Sequence, residues 1–167
     1  MDIAIREASP DDAPALLDLQ LALDAESSFM LLEPGERPTD PEPLRSRLAR
    51  QAAPEDLSYT LVAEADGPAG YVDVSVPPYR RACRTGYLVM GVRASHAGRG
   101  VGRALLQAAV GRARAGDLRR LELTVMAHNR RALNLYLSTG FLVEGLRRAP
   151  LEVDGAAVDE YYMGLLL

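Results

Sequence analysis

The sequence predicts a mixed α/β fold: a single, mostly antiparallel central sheet of about seven strands flanked by about four helices. Three observations carry this. Short stretches of alternating apolar residues are bounded by Asp-Gly turns, apolar stripes at helical spacing start at capping residues, and one strand–loop–helix–strand unit spans 84–126. That unit is the one place where a parallel pair is expected. At 167 residues the chain is large enough for one domain, 1–167, with its own core.

Residues 2–8 alternate, with Ile3 and Ile5 on one face, and read as a short strand. Ser9, Pro10 and Asp12 then open a helix as N-cap, first helical residue and first-turn acid. Leu16, Leu17, Leu19, Leu21 and Leu23 give it a broad apolar stripe. From Glu26 to Pro43 the chain is irregular, broken by Pro34, Gly35, Pro38 and Pro41. A second helix is expected over about Pro41–Ala52. SYTLVAEA, the Asp66-Gly67 turn and AGYVDVSV read as an antiparallel hairpin. The strand 84–92 follows, in which Gly91 marks a bulge or a close backbone approach. A helix over about Gly100–Ala115 faces Val101, Leu105, Ala109 and Val110 inward, and LRRLELTVM alternates as a strand. Asn129 caps a helix that Gly140 stops near Thr139. Strands near 141–150 and 157–166, joined through Asp154-Gly155, end the chain.

The composition, 48% hydrophobic and 25% charged, is that of an ordinary globular domain. A net charge of −4 lacks the broad basic face of a nucleic-acid binder. One cysteine, Cys83, excludes an internal disulfide, and with only His96 and His128 beside it no metal site is expected. The N-terminus lacks the plan of a signal peptide, and no apolar run approaches the roughly 20 residues of a membrane span. A cytoplasmic protein without a membrane partner is expected, as a monomer or a homodimer.

The segment HAGRGVGRALL lies between a strand and an amphipathic helix. Glycines let the backbone approach a bulky anion and aim N–H groups at it, and the helix adds its positive N-terminal end. Arg99 and Arg103 add side-chain charge. No Lys-Ser/Thr pair follows the last glycine, so the loop is not a P-loop. The spacing G-x-G-x-G also differs from the G-x-G-x-x-G of dinucleotide folds. Glu122, about 20 residues further on, keeps that alternative open, although it stands mid-strand between Leu121 and Leu123.

Together with HNRRALNLYLSTGFLVEG, this loop resembles the GNAT superfamily of N-acetyltransferases over most of the chain. The family signature Q/R-x-x-G-x-G/A falls on Ala97, Gly98, Arg99, Gly100, Val101 and Gly102, with Ala97 departing from it. The second segment places Asn129, Ala132, Tyr136, Gly140 and Phe141 as the family does, about 30 residues later. The resemblance implies a GNAT-like fold, a single N-acetyltransferase domain and acetyl-CoA as co-substrate, without a metal. It implies that Met90 and Val92 pair with the pantetheine arm, that Gly98, Arg99, Gly100, Val101, Gly102 and Arg103 hold the pyrophosphate, and that Asn129 touches the arm near the thioester.

The implied reaction is direct acyl transfer from thioester to amine. An amine of ordinary pKa about 10 must shed a proton, and the departing thiolate must gain one. Tyr136 matches the family's general acid by position. Glu26, Glu33, Asp73 and Glu122 are candidate bases, with a water chain or a backbone carbonyl as alternatives. The acceptor, a small-molecule or peptide amine, is expected against ESSFMLLEPGERP, with Phe29 and Met30 as an apolar wall and Glu26 and Glu33 on an acidic rim. Two other readings fit the same residues: a non-catalytic acyl-CoA-binding module and a nucleotide-cofactor oxidoreductase.

Overall fold

A computed structural model describes residues 2–167, running through β1 (Ala4–Glu7), α1 (Ala13–Glu26), α2 (Glu42–Gln51), β2 (Tyr59–Glu64), β3 (Pro68–Ser75), β4 (Thr85–Val92), α3 (Val101–Ala115), β5 (Arg120–Met126), α4 (Arg130–Ser138), β6 (Leu142–Val153) and β7 (Ala156–Leu166). The strands form one sheet in the order β1-β2-β3-β4-β5-β7-β6. Among the described residues β4–β5 is the one parallel pair, inside the strand–loop–helix–strand unit where it was expected.

The helix expected from Ser9 begins instead as a single 3-10 turn, Pro10–Asp12, before α1. Asp12 is drawn back: its carboxylate accepts the Ser9 N–H at 2.7 Å and the Arg6 guanidinium at 2.7 and 2.8 Å. These charge-assisted bonds hold Asp12's carboxyl well below the usual carboxylate range, the Arg6 pair being the main cause. At the other end of the chain β6 and β7 run further than expected, right up to Asp154-Gly155. Both turn residues have positive φ, +51° and +76°, and such a two-residue turn continues the strand twist without a loop.

Helices cover both faces. Beneath α3 and α4 lie Val72, Val74, Leu88, Leu121 and Leu123, packed with Leu105, Leu106, Ala109, Phe141 and Met163. On the opposite face Leu16, Leu19 and Leu23 of α1 and Leu48 of α2 pack on Val62 and Tyr71. β3 sits between the two layers and is buried from Ala69 to Val74. Gly91 makes no bulge. Its register opposite Tyr71 is continuous, and a side chain there would meet Leu23 Cδ1 at 2.7 Å, so its smallness admits α1. Among the described residues no helix is long and apolar enough to cross a membrane.

Tyr71 supplies a test of this packing. Burial pushes its phenol up to about 12. A raised value means the folded state favours the neutral phenol, so the contribution is complete below the ordinary value of 10.0 and is lost as pH climbs toward about 12. Urea titrations at rising alkaline pH should therefore show stability falling in this window, with Tyr71 accounting for up to about 2–3 kcal/mol. Tyr71→Phe should flatten that slope, and an unchanged slope would assign the loss to other groups.

Candidate active site

Strands β4 and β5 pair through only three positions, Thr85↔Arg120, Gly86↔Leu121 and Tyr87↔Glu122. Beyond Tyr87 both strands continue, to Val92 and Met126, without pairing to each other. The sheet thus opens as a V, and the β4 edge carrying Met90 and Val92 lacks a neighbouring strand on that side. An extended ligand with amide groups fits such an edge, because backbone N–H and C=O groups need partners. At the apex the Tyr87 hydroxyl and Thr124 Oγ1 lie 2.8 Å apart, tying the two strands where they part.

The end of β4 leads into the glycine loop. A 3-10 turn, Ala94–His96, is steadied by His96, whose Nε2 donates to the Ala65 carbonyl at 2.8 Å while Nδ1 lies 2.9 Å from the Ser95 hydroxyl. Gly98 and Gly100 take φ of +78° and +89°, a region that costs other residues about 1 kcal/mol or more. Gly100 is the N-cap of α3, and the first intrahelical bond there runs from Ala104 N–H to the Gly100 carbonyl at 3.0 Å. The N–H groups of Val101, Gly102 and Arg103 precede that bond and have no intrahelical partner. With the helix dipole behind them, their geometry at the mouth of the V is one that suits an anion. Gly102 lets this first turn settle against α4 and β4: a side chain there would meet Leu135 at 3.2 Å and Val92 at 3.7 Å. Arg99 and Arg103 are exposed around this helix end. Arg131, which sequence reasoning missed, comes from α4 to the same place, its guanidinium 3.6 Å from where a Gly98 side chain would begin.

The second arm of the V ends at α4. Asn129 caps this helix by accepting the Ala132 N–H at 3.2 Å through Oδ1, the geometry expected of an N-cap. Two turns on, Tyr136 is buried, its ring 5.9 Å from that of Phe141. Burial holds its phenol well above the ordinary tyrosine value, and Tyr87 nearby adds to the shift. The group therefore stays protonated through the neutral range, as a proton donor must. Gly140, at φ +102°, turns the chain so that Phe141 enters the core.

The irregular segment between α1 and α2 is fastened to α1 by Arg37. Its guanidinium donates to both oxygens of buried Asp24, at 2.5 and 3.0 Å, and to Gln20 at 3.3 Å. The four predicted acceptor residues have separate fates. Glu26 accepts Arg93 Nε at 3.1 and 3.2 Å and the Ala94 N–H at 2.8 Å, tying the end of α1 to the start of the glycine loop. Met30 folds back onto the α1 layer. Phe29 stays partly exposed and reaches across to the β5–α4 connection, its ring 5.1 Å from His128. Glu33 is exposed.

The remaining two candidate carboxylates share the sheet face opposite α3 but differ in burial. Asp73 is buried, accepting from Thr60 at 2.6 Å, Arg47 and Ser75 at 3.2 Å and Gln51 at 3.4 Å, so its oxygens are engaged within the fold. Glu122 is half-buried and accepts from Arg120 Nε at 2.9 Å and the Tyr162 hydroxyl at 3.3 Å. It stands opposite Tyr87, at the last paired position before the strands part. Among the described residues no group of three or more His, Cys, Asp or Glu gathers as a metal site. Tyr87, Thr124, Arg131 and the Phe29–His128 contact carry no local sequence signal; each depends on elements distant in the chain.

Comparison with known proteins gives concordant matches. The model of the acetyltransferase (GNAT) family matches residues 21–141. An N-alpha-acetyltransferase, RimI, from Mycobacterium tuberculosis is 39% identical over 98 residues, 56% of either chain, so this chain spans little more than half of that curated relative. A solved acetyltransferase of the GNAT family from Streptococcus pneumoniae superposes with a TM-score of 0.95 at 31% identity, covering 99% of this chain and 100% of the other. A Salmonella typhimurium structure solved with its cofactor acetyl-CoA has a TM-score of 0.87 at 21% identity, covering 100% of this chain and 95% of its own. The expected fold and family resemblance are borne out.

Proposed function

The chain belongs to the acetyltransferase (GNAT) family, and on that premise we propose that it transfers an acetyl group from acetyl-CoA to an amine, as a single domain over 1–167. The opening between β4 and β5, with the α3 N-terminus at its mouth, carries this reading. Its parts suit the co-substrate: the free β4 edge at Met90 and Val92 for the pantetheine amides, and the amides from Gly98 to Arg103 with the Arg99 and Arg103 side chains for the pyrophosphate. Asn129 holds the far side of the arm through the amide group that its capping bond leaves over. Acetyl-CoA supplies an activated acyl thioester when bound.

The chain's own groups handle the protons. Tyr136, kept protonated by burial, donates to the departing sulfur. Among the four candidate bases, Glu122 is favoured by its half-buried place beside the apex, and it takes the amine's proton directly or through water. Of the segment expected to meet the acceptor, Phe29 and Glu33 stay exposed to it, while Met30 packs on α1 and Glu26 holds Arg93 and Ala94. Each arrangement favours direct attack within one ternary complex, with no covalent acyl-enzyme.

Thermal denaturation with acetyl-CoA, coenzyme A and NAD tests this. Acetyl-CoA at 100 times its Kd should stabilise the protein by about 2.7 kcal/mol, with NAD giving nothing. Free thiol should then appear on adding a suitable amine. Stabilisation by NAD alone would restore the oxidoreductase reading, and binding without thiol release across a broad amine panel would make this an acyl-CoA-binding module.

A further inference from the structure

Beside the apex lies an open cleft of about 590 Å³, lined among others by Ser75, Arg81, Thr85, Tyr87 and Glu122. That volume is in the range of small-molecule sites. Its charges are imbalanced. Arg81 is exposed and forms no hydrogen bond or ion pair with any described residue, whereas Arg84, three residues on, is bound by the Asp117 carboxylate and carbonyl. Glu122 has the opposite imbalance. It shares the single guanidinium of Arg120 with Glu144, which takes two of that side chain's bonds at 2.8 and 2.5 Å. One positive charge serves two carboxylates, so a negative charge is left over at the cleft.

We propose, resting on the acetyltransferase reading above, that the acceptor is a small zwitterionic amine of the α-amino-acid class, with Arg81 binding its anionic group and Glu122 its ammonium group. A cleft with one unpaired cation and one surplus anion matches a ligand that carries both charges. A simple amine leaves Arg81 without a partner. A peptide N-terminus brings a neutral amide next to its amine and a protein lysine brings only methylenes, so both forgo a charge-assisted, bidentate bond to Arg81. Tyr87 lines the cleft and also spans the apex, so an amine held on Glu122 stands where the two strands part.

Thiol release from acetyl-CoA should be measured with L-amino acids, each paired with its carboxamide and its decarboxylated amine. The expected result is at least one amino acid whose kcat/KM exceeds that of both neutralised analogues by about tenfold or more. Arg81→Ala should raise KM for that amino acid about tenfold, leave kcat and the amine analogue nearly unaffected, and be partly rescued by Arg81→Lys. Arg80→Ala, one residue away but outside the cleft lining, should change neither parameter. Equal use of acid, amide and amine, an equal loss on all three in Arg81→Ala, or no amino acid either turned over or raising the melting temperature of the coenzyme A complex would overturn the proposal. Acetyl-CoA binding measured by calorimetry on the same preparations separates the two readings: its absence sinks the acetyltransferase assignment, and its presence with any of those outcomes sinks only the zwitterion.

Discussion

Tyr136→Phe is expected to lower kcat by about 10²-fold or more, within the range usual for a lost general acid. The Kd for acetyl-CoA should barely move, since the phenylalanine ring keeps the contact with Phe141 and only the hydroxyl is removed. The pH profile gives a second readout. Because burial raises the Tyr136 value, the wild type should keep its acid protonated past the ordinary tyrosine range, and the rising limb of kcat should report the base alone. Stopped-flow thiol detection over a pH series decides it. Unchanged turnover in a folded Tyr136→Phe protein removes this residue from the chemistry and leaves protonation of the sulfur to water.

The second large effect is expected at the glycine loop that opens α3. Gly100→Val forces a β-branched residue to φ +89°, at a cost of about 1–3 kcal/mol. The Cβ itself meets nothing within 4 Å, so the penalty falls on the backbone that orients the α3 amides. The loop can relieve the strain only by leaving the conformation that seats a pyrophosphate. KM for acetyl-CoA should therefore rise about 10- to 100-fold, with kcat at saturation much less affected. Gly111→Ala, further along α3 where space is also open, is the control: it should leave KM unchanged while stabilising the helix by about 0.5–1 kcal/mol. A KM equally insensitive at Gly100 would mean that side chains hold the phosphates.

Much of the frame was legible because its causes are local. The Asp66-Gly67 and Asp154-Gly155 turns, the Asn129 cap and the Gly140 stop each depend on a few neighbouring residues whose φ preferences and hydrogen bonds act at short range. Alternation in β5 placed its buried positions for the same reason, since a strand's two faces are set by its period. The start of α1 escaped this logic. Arg6, reaching over from β1, helps to hold Asp12 and tightens the first turn, and no rule about Ser9 or Pro10 contains that contact.

The site divides along the same line. Its glycine loop and the helix from Asn129 to Phe141 could be found by reading along the chain, and with them the class of co-substrate. The acceptor side could not. Glu26, a plausible rim carboxylate in one dimension, turns out to bind Arg93 and Ala94, 67 and 68 residues away. Phe29 meets His128, and Arg81 shares a cleft with Glu122, only because the sheet order brings β3, β4 and β5 side by side. A charge's role depends on which opposite charge reaches it first, and that is decided by packing. The residues alone therefore determined the fold class and the positive-φ glycine loop that opens α3, whose geometry is built from short-range backbone preferences. Only the tertiary structure decided which charges remain unpaired beside the apex, because ion pairing is settled between segments that meet after the chain has folded.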